Sequence, residues 1–290
     1  MLTILFDGVA YGMLLFILAV GLAVTMGLMN FINLAHGAFA MAGGYITVLL
    51  MQRLGVPFLV CLPLAFLGAA LLGGVLERTL YRPLYNKAHL DQVLFSIGLV
   101  FMAVASVDYF VGSTQQIMQL PDWLKGRTEI GEGAWMLGMG HYRLFIIAVC
   151  AALTVALQYV LTKTRFGSRL RASVDDQRVA AGMGINVNIV FLSTFAFGSG
   201  LAGLGGALGA EVLGLDPSFP LKFMIYFLIV VAVGGTSSIT GPLLAALLLG
   251  IADVAGKYYI PKLGAFIVYS LMILILIWRP QGLFVRKGGK

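Results

Sequence analysis

The chain has 290 residues, of which 60% are hydrophobic and 11% charged, and its formal net charge at pH 7 is +7. An ordinary soluble domain carries roughly 25% charged residues, so a water-soluble globule of this composition would lack the charged skin that keeps a core inside. The apolar surface must face lipid. The basic excess sits in short runs that fit membrane topology and attraction to anionic lipid heads, which removes the argument for nucleic-acid binding.

No Asp, Glu, Lys or Arg occurs between Asp7 and Arg53, nor within 54–76, 144–162, 179–210, 223–252 or 263–278. A bilayer-crossing helix needs roughly 17–25 such residues, and helices fit every one of these stretches. Runs such as Leu271 to Trp278 do not alternate in polarity, which excludes a β-barrel. Val93 to Phe110, with Asp108 near one end, adds a further span. The longest stretches must hold two crossings, or a crossing and a re-entrant turn. The predicted fold is a single all-α polytopic membrane domain over 1–290, with about eight or nine transmembrane segments and broken or re-entrant helices among them. The first stretch is preceded by no basic run and followed by no small-residue cleavage site, so it is expected to be a retained span.

Within that first stretch, Asn30, Asn33 and His36 interrupt the apolar pattern, flanked by Gly27, Gly43 and Gly44. Polar groups at this depth are costly unless they face protein or a water-filled cavity. Two readings stand side by side: these residues cap a broken helix and bond to its neighbours, or the break lines a translocation path. Next come Arg78, Arg82 and Lys87, the first of three basic clusters. The second is Lys163, Arg165, Arg169, Arg171 and Arg178, and the third is Arg279, Arg286, Lys287 and Lys290. The positive-inside bias makes all three cytoplasmic, with the C-terminus inside. The mixed-charge segment 112–140 lies one crossing from two of them and is expected outside. Cys61 and Cys150 stand in apolar segments without metal or redox spacing.

The segment 164–188 carries more than a connector needs. Asp175 and Asp176 followed by Val179, Ala180 and Ala181, then Gly182 and Gly184, predict one short helix over 173–181, with both carboxylates in its N-terminal turn. Such a helix either lies on lipid head groups or docks a soluble partner. Beyond it, Gly198, Ala202, Gly206 and Ala210 recur at steps of four, so they share one face of a helix and predict a close helix contact. Glu211 and Asp216 then mark a water boundary or meet a partner protein. A second polar break at Gly234 to Pro242, containing Thr236, Ser237 and Ser238, interrupts another apolar run and permits a re-entrant turn. The three histidines, His36, His89 and His141, fall in different segments without ligand spacing, which argues against a membrane-embedded metalloenzyme.

Four segments carry a resemblance: TMGLMNFINLAHGAFAMAGGY from Thr25, RASVDDQRVAAGMGINV from Arg171, VAVGGTSSITGP from Val231 and PQGLF from Pro280. In this order and spacing the chain resembles the LivH-type permeases of the branched-chain amino acid ABC importers. The resemblance implies an ABC importer permease fold in a bacterial plasma membrane. It also implies two similar but distinct permeases, two cytoplasmic ATP-binding cassette subunits, an extracytoplasmic substrate-binding protein, and alternating access. It places ATPase coupling on Arg171, Asp175, Asp176, Arg178, Ala180, Gly184 and Ile185, the last three on the family's "A…GI" pattern. Where other importer permeases carry an EAA triplet, this chain has Ser173, Val174 and Asp175. The expected substrate path includes Asn30, Asn33, His36, Thr236, Ser237 and Ser238. The chain has no GxxxxGK[ST] loop, so it is expected to bind no cofactor and to leave ATP hydrolysis to its partners. Leucine, isoleucine and valine are the expected substrates, although related permeases carry urea, short amides or aromatic acids. A passive channel or secondary carrier for small polar solutes is the competing class, disfavoured by spans that lack a central ionisable residue.

Overall fold

The computed structural model describes residues 1–29, 31–85, 87–131, 137–235, 238–279 and 282–283. With no water in the hydrocarbon layer to bond backbone groups, each apolar stretch satisfies them internally as a helix. The chain runs through α1 (Leu2–Met29), α2 (His36–Leu54), α3 (Phe58–Leu76), α4 (His89–Val111), a hairpin of β1 (Arg127–Ile130) and β2 (Leu137–Gly140), and α5 (His141–Lys163). It continues through α6 (Arg165–Asp175), α7 (Gln177–Gly182), α8 (Val187–Leu213), α9 (Phe219–Gly234), α10 (Thr240–Tyr259) and α11 (Gly264–Trp278). A π turn and a short 3-10 turn carry α3 on to Leu84. Among the described residues, six helices are long and apolar enough to cross a membrane, and two more, α9 and most of α11, are apolar but shorter. With the 19-residue α2, the bundle is that of a polytopic all-α membrane protein.

Burial separates a core from a lipid-facing rim. In the most apolar window of each helix, 72% of α1 and 61% of α8 is buried, against 11% of α4 and 17% of α5. α1 and α8 form the centre, with α2, α3 and α10 packed on them. From Leu14 to Val20 every α1 side chain is fully buried, so this stretch is surrounded by protein on all sides. α4, by contrast, shows Leu90, Leu94, Phe101 and Met102 outward, where lipid tails would meet them.

The centre closes because side chains are missing where helices cross. Gly198 on α8 lies against the backbone of Gly21 on α1, Gly206 against the Ala40 carbonyl on α2, and Gly203 against Gly43 on α2 and Ala69 on α3. Ala202 and Ala210, on the same face of α8, are buried. α1 and α10 run antiparallel, with Gly8 at Ile251 and Gly12 at Leu247; a Cβ on Gly12 would sit 2.8 Å from the Leu247 Cα. In lipid, where no hydrophobic force pulls helices together, such close approach is the main source of association.

Two ends can be told apart. At one, the hairpin segment is tied to the bundle: the Gly138 N–H donates to Thr3 Oγ1 at 3.0 Å, Gln52 Nε2 to the Ile117 carbonyl at 3.1 Å, and the Gln116 N–H to the Leu215 carbonyl at 2.7 Å. At the other lie the end of α3, the start of α4, the α6–α7 loop and the break before α10. Replacing Gly206 with Leu forces a side chain into the Ala40 backbone and is expected to cost about 1–3 kcal/mol or more, read as a lowered melting midpoint in detergent. Gly98→Leu on α4, where a Cβ meets nothing within 4 Å, should leave the midpoint near wild type. Equal behaviour of the two variants would contradict this packing.

Candidate functional site

The first sequence break is a buried clamp. After Met29 the chain turns back, and α2 starts beside the middle of α1: His36 Nε2 donates to the Leu18 carbonyl at 2.9 Å. Leu18 stands eleven residues before Met29, about 16 Å of helix at 1.5 Å per residue, so α2 enters the bundle well below the end of α1. The His36 ring meets Phe227 of α9 edge-on. Asn33 Oδ1 accepts from the Tyr81 hydroxyl at 3.0 Å and from the Ala35 N–H at 3.1 Å, closing the turn before α2. Asn33 Nδ2 is buried with no hydrogen-bond partner among the described residues. Phe31 packs edge-on between Tyr81 and Tyr85.

Gln92, at the start of α4, joins this turn to the basic loop. Its Oε1 accepts from the Ile32 N–H at 3.3 Å, and its Nε2 donates to the carbonyls of Leu84 at 3.2 Å and Lys87 at 3.4 Å. Nearby, Glu77 is buried and accepts from the Tyr85 hydroxyl at 2.8 Å. No sequence motif marks Tyr81, Gln92 or Glu77. The signal was that Gln92 and Glu77 each sit at the mouth of a long charge-free run.

The α6–α7 loop differs from the sequence expectation of one helix over 173–181. It holds two helices that meet at Asp176, which is extended (φ −152°, ψ 107°). Asp176 alone is the N-cap: its Oδ1 accepts from the N–H groups of Arg178 at 2.8 Å and Val179 at 3.0 Å. Asp175 ends α6 instead. Two adjacent aspartates both suit an N-terminus, and the chain reversal decides which one caps. Thr164 and Asn186 cap α6 and α8 in the same way. The Ile185 N–H returns to the Ala180 carbonyl at 3.0 Å, and Gly184 sits at φ +82°, a conformation that glycine takes without strain. Ala180, Gly184 and Ile185 thus build one closed turn with Ala180 buried beneath it.

This loop presents a defined outer face. Val179 and Met183 are 59% and 76% exposed, and Asp175, Asp176 and Arg178 beside them are exposed too. Its inner face is fixed: Leu170 is buried, and the Arg171 guanidinium donates to the Leu161 carbonyl at the end of α5. A cavity of about 240 Å³ joins Arg171 to Ser238, with Ala23 and Val24 of α1 between them. Ser238 Oγ accepts from the Gly241 N–H at 3.3 Å. The structure therefore brings one predicted path residue, Ser238, to the predicted coupling residue Arg171, and holds Asn33 and His36 apart in their own clamp. Asn30, Thr236 and Ser237 lie outside the described residues. Of the PQGLF ending only Gly282 and Leu283 are described, and the Leu283 N–H donates to the Val233 carbonyl at 2.8 Å, tying the tail to the end of α9. The three histidines are scattered: His36 bonds Leu18, His89 contacts Gln92 and His141 contacts Thr128.

Buried interrupted helices within a lipid-facing rim, with a capped two-helix loop at one end, define a multi-pass membrane permease. Residues 4–276 match the family described as "Branched-chain amino acid transport system / permease component", and the chain belongs to that family. It is 28% identical to the high-affinity branched-chain amino acid transport system permease protein BraD of Pseudomonas aeruginosa, over 97% of this chain and 95% of that protein. It is 27% identical to the corresponding permease protein LivH of Escherichia coli K12, over 97% of this chain and 94% of LivH. It is also 28% identical to the permease protein LivM of the same organism, over 93% of this chain and 68% of LivM. No solved structure matches the chain.

Gln92→Leu keeps the volume but strips the Ile32 N–H and two carbonyls of their partner. A buried group left without a partner costs about 1–3 kcal/mol and a part-buried one less, so the melting midpoint in detergent should fall below wild type. An unchanged midpoint would show that the clamp does not hold the break.

Proposed function

We propose that this chain is the transmembrane permease subunit of an ATP-binding cassette importer for branched-chain or related amino acids, working by alternating access. Its relatives bear the names of branched-chain amino acid permeases, and the pairing of LivH-like with LivM-like proteins supports a second, similar permease as partner. The three basic clusters put the α6–α7 loop and the C-terminus in the cytoplasm and the hairpin segment 112–140 outside. The chain itself hydrolyses nothing; two cytoplasmic ATPases supply the work, and an extracytoplasmic binding protein delivers the solute to the hairpin end. The membrane is a bacterial plasma membrane.

The observation that carries this reading is the outer face of α7. An apolar pair, Val179 and Met183, protrudes from a short helix fixed at both ends by its own caps and ringed by charge. A rigid knob of this kind suits a cleft in a soluble partner. Closure of the ATPases would push α7; α6 would pass the movement to the end of α5 through Arg171 and, across the shared cavity, to the Ser238 break before α10. Ser238 before α10 and the turn from Asn33 to His36 are the places where helices can shift to open one side at a time; Asn30, Thr236 and Ser237, expected on the same path, lie outside the described residues.

Val179→Glu with Met183→Glu should cut recovery of the ATPases with affinity-tagged permease at least tenfold. Both side chains are exposed, so the permease pair should melt as wild type. Undiminished recovery would contradict docking on α7. Bulky replacements at Ala180 are a poorer probe, because that side chain is buried and its loss would disturb the loop itself.

A further inference from the structure

We propose that a cleft at the hairpin end, between α1, α5 and α10, receives the amino-acid zwitterion; this rests on the amino-acid importer reading above. The cleft has a volume of about 260 Å³ and carries Asp7 and Tyr11 from α1, Arg143 from α5, and Asp253 and Lys257 from α10. Two carboxylates and two cations make its wall formally neutral but charge-separated. Asp7 pairs with Arg143, and Asp253 Oδ2 accepts from Lys257 Nζ at 2.6 Å. Each carboxylate keeps an under-used oxygen. Asp7 Oδ1 is buried without a hydrogen-bond partner among the described residues, and Asp253 Oδ1 has only the Tyr226 hydroxyl at 3.5 Å. Both oxygens are buried, so an incoming ammonium uses this spare capacity by taking the place of the cation in its ion pair. The cations are the opposite case: the Arg143 and Lys257 side chains remain 43% and 56% exposed, so a carboxylate can reach them. Leu14, Ile146 and Phe223 complete the wall with apolar surface suited to an aliphatic side chain.

Packing does not require this arrangement. Apolar residues of similar volume commonly stabilise a buried position as well as an ion pair does, and ionisable groups inside spans are costly enough to mark function. Asp253 is 1% exposed, in a helix that is otherwise apolar until Lys257. A second cleft of about 470 Å³ shares Asp7, Arg143 and Val212 with the first and reaches Arg127 of the hairpin, so the site adjoins the end where a binding protein would deliver its load. A phosphatidylethanolamine head group also presents an ammonium beside an anion, and the choice of lipid separates the two sources.

The test reconstitutes the full complex in proteoliposomes and measures leucine uptake at a sub-saturating concentration for Asp253→Asn, Arg143→Gln and the double variant Asp253→Leu with Lys257→Met. Uptake should fall at least tenfold in all three, at equal yield of assembled complex, whether or not the liposomes contain phosphatidylethanolamine. Single variants within twofold of wild type would overturn the proposal. Recovery of uptake in the double variant, which leaves no member of that pair unmatched, would reduce the Asp253–Lys257 pair to a structural brace and overturn it equally. A defect confined to phosphatidylethanolamine liposomes would assign the cleft to lipid. If the wild-type complex moves no amino acid at all, the importer reading itself fails, and that result is visible without any variant.

Discussion

Everything in this bundle depends on helices approaching backbone to backbone along α8. Gly198, Gly203 and Gly206 bring α8 against Gly21, Gly43 and Ala40, and Ala65 and Ala69 bring α3 to the same helix. Dispersion contacts and weak backbone contacts made at this range replace the hydrophobic force that lipid cannot supply. A Cβ added at Gly203 or Gly206 would meet a neighbouring helix at 2.3 Å or closer, so these crossings tolerate no side chain.

The polar interruptions adjoin this close packing: Gly37 follows the first and meets Pro220, and Gly234 opens the second and meets Pro242. Backbone groups freed at the first break are collected by Asn33, Gln92 and the Ala35 turn, while His36 fastens the re-entering helix to α1. The second break borders a cavity that also touches the end of α5 and the inner face of α6. The α6–α7 loop, with Val179 and Met183 exposed, is thus adjacent to the start of α10. α6 and α7 are separately capped, by Thr164 and Asp176, and the Arg171 guanidinium of α6 is bonded to the Leu161 carbonyl near the end of α5.

Much of the architecture was legible because lipid imposes a simple rule. Absence of charge over the length of a bilayer marks a helix, and Gly198, Ala202, Gly206 and Ala210 at steps of four mark a face. What such a face touches was not legible, since Gly21, Ala40 and Gly43 lie far away in sequence and nothing local pairs them. The clamp on Asn33 escaped for the same reason: Tyr81 and Gln92 are joined to this turn only by tertiary contact. The split at Asp176 was invisible because Asp175 and Asp176 are equally good caps until the chain direction is known. Asp253 and Lys257 sit one helical turn apart, a spacing visible in the sequence. That the carboxylate is buried against Tyr226, with the Lys257 ammonium over the Tyr11 ring, is visible only in the fold.

The central claim is that this chain moves amino acids only as one part of an ATP-driven assembly. Uptake of radiolabelled leucine into proteoliposomes, comparing this chain alone with the complete complex under ATP and under ADP, addresses it most directly. The account predicts uptake by the complex with ATP and none in the other cases. Downhill leucine entry through this chain alone, indifferent to nucleotide, would contradict it and make the protein a passive channel or carrier.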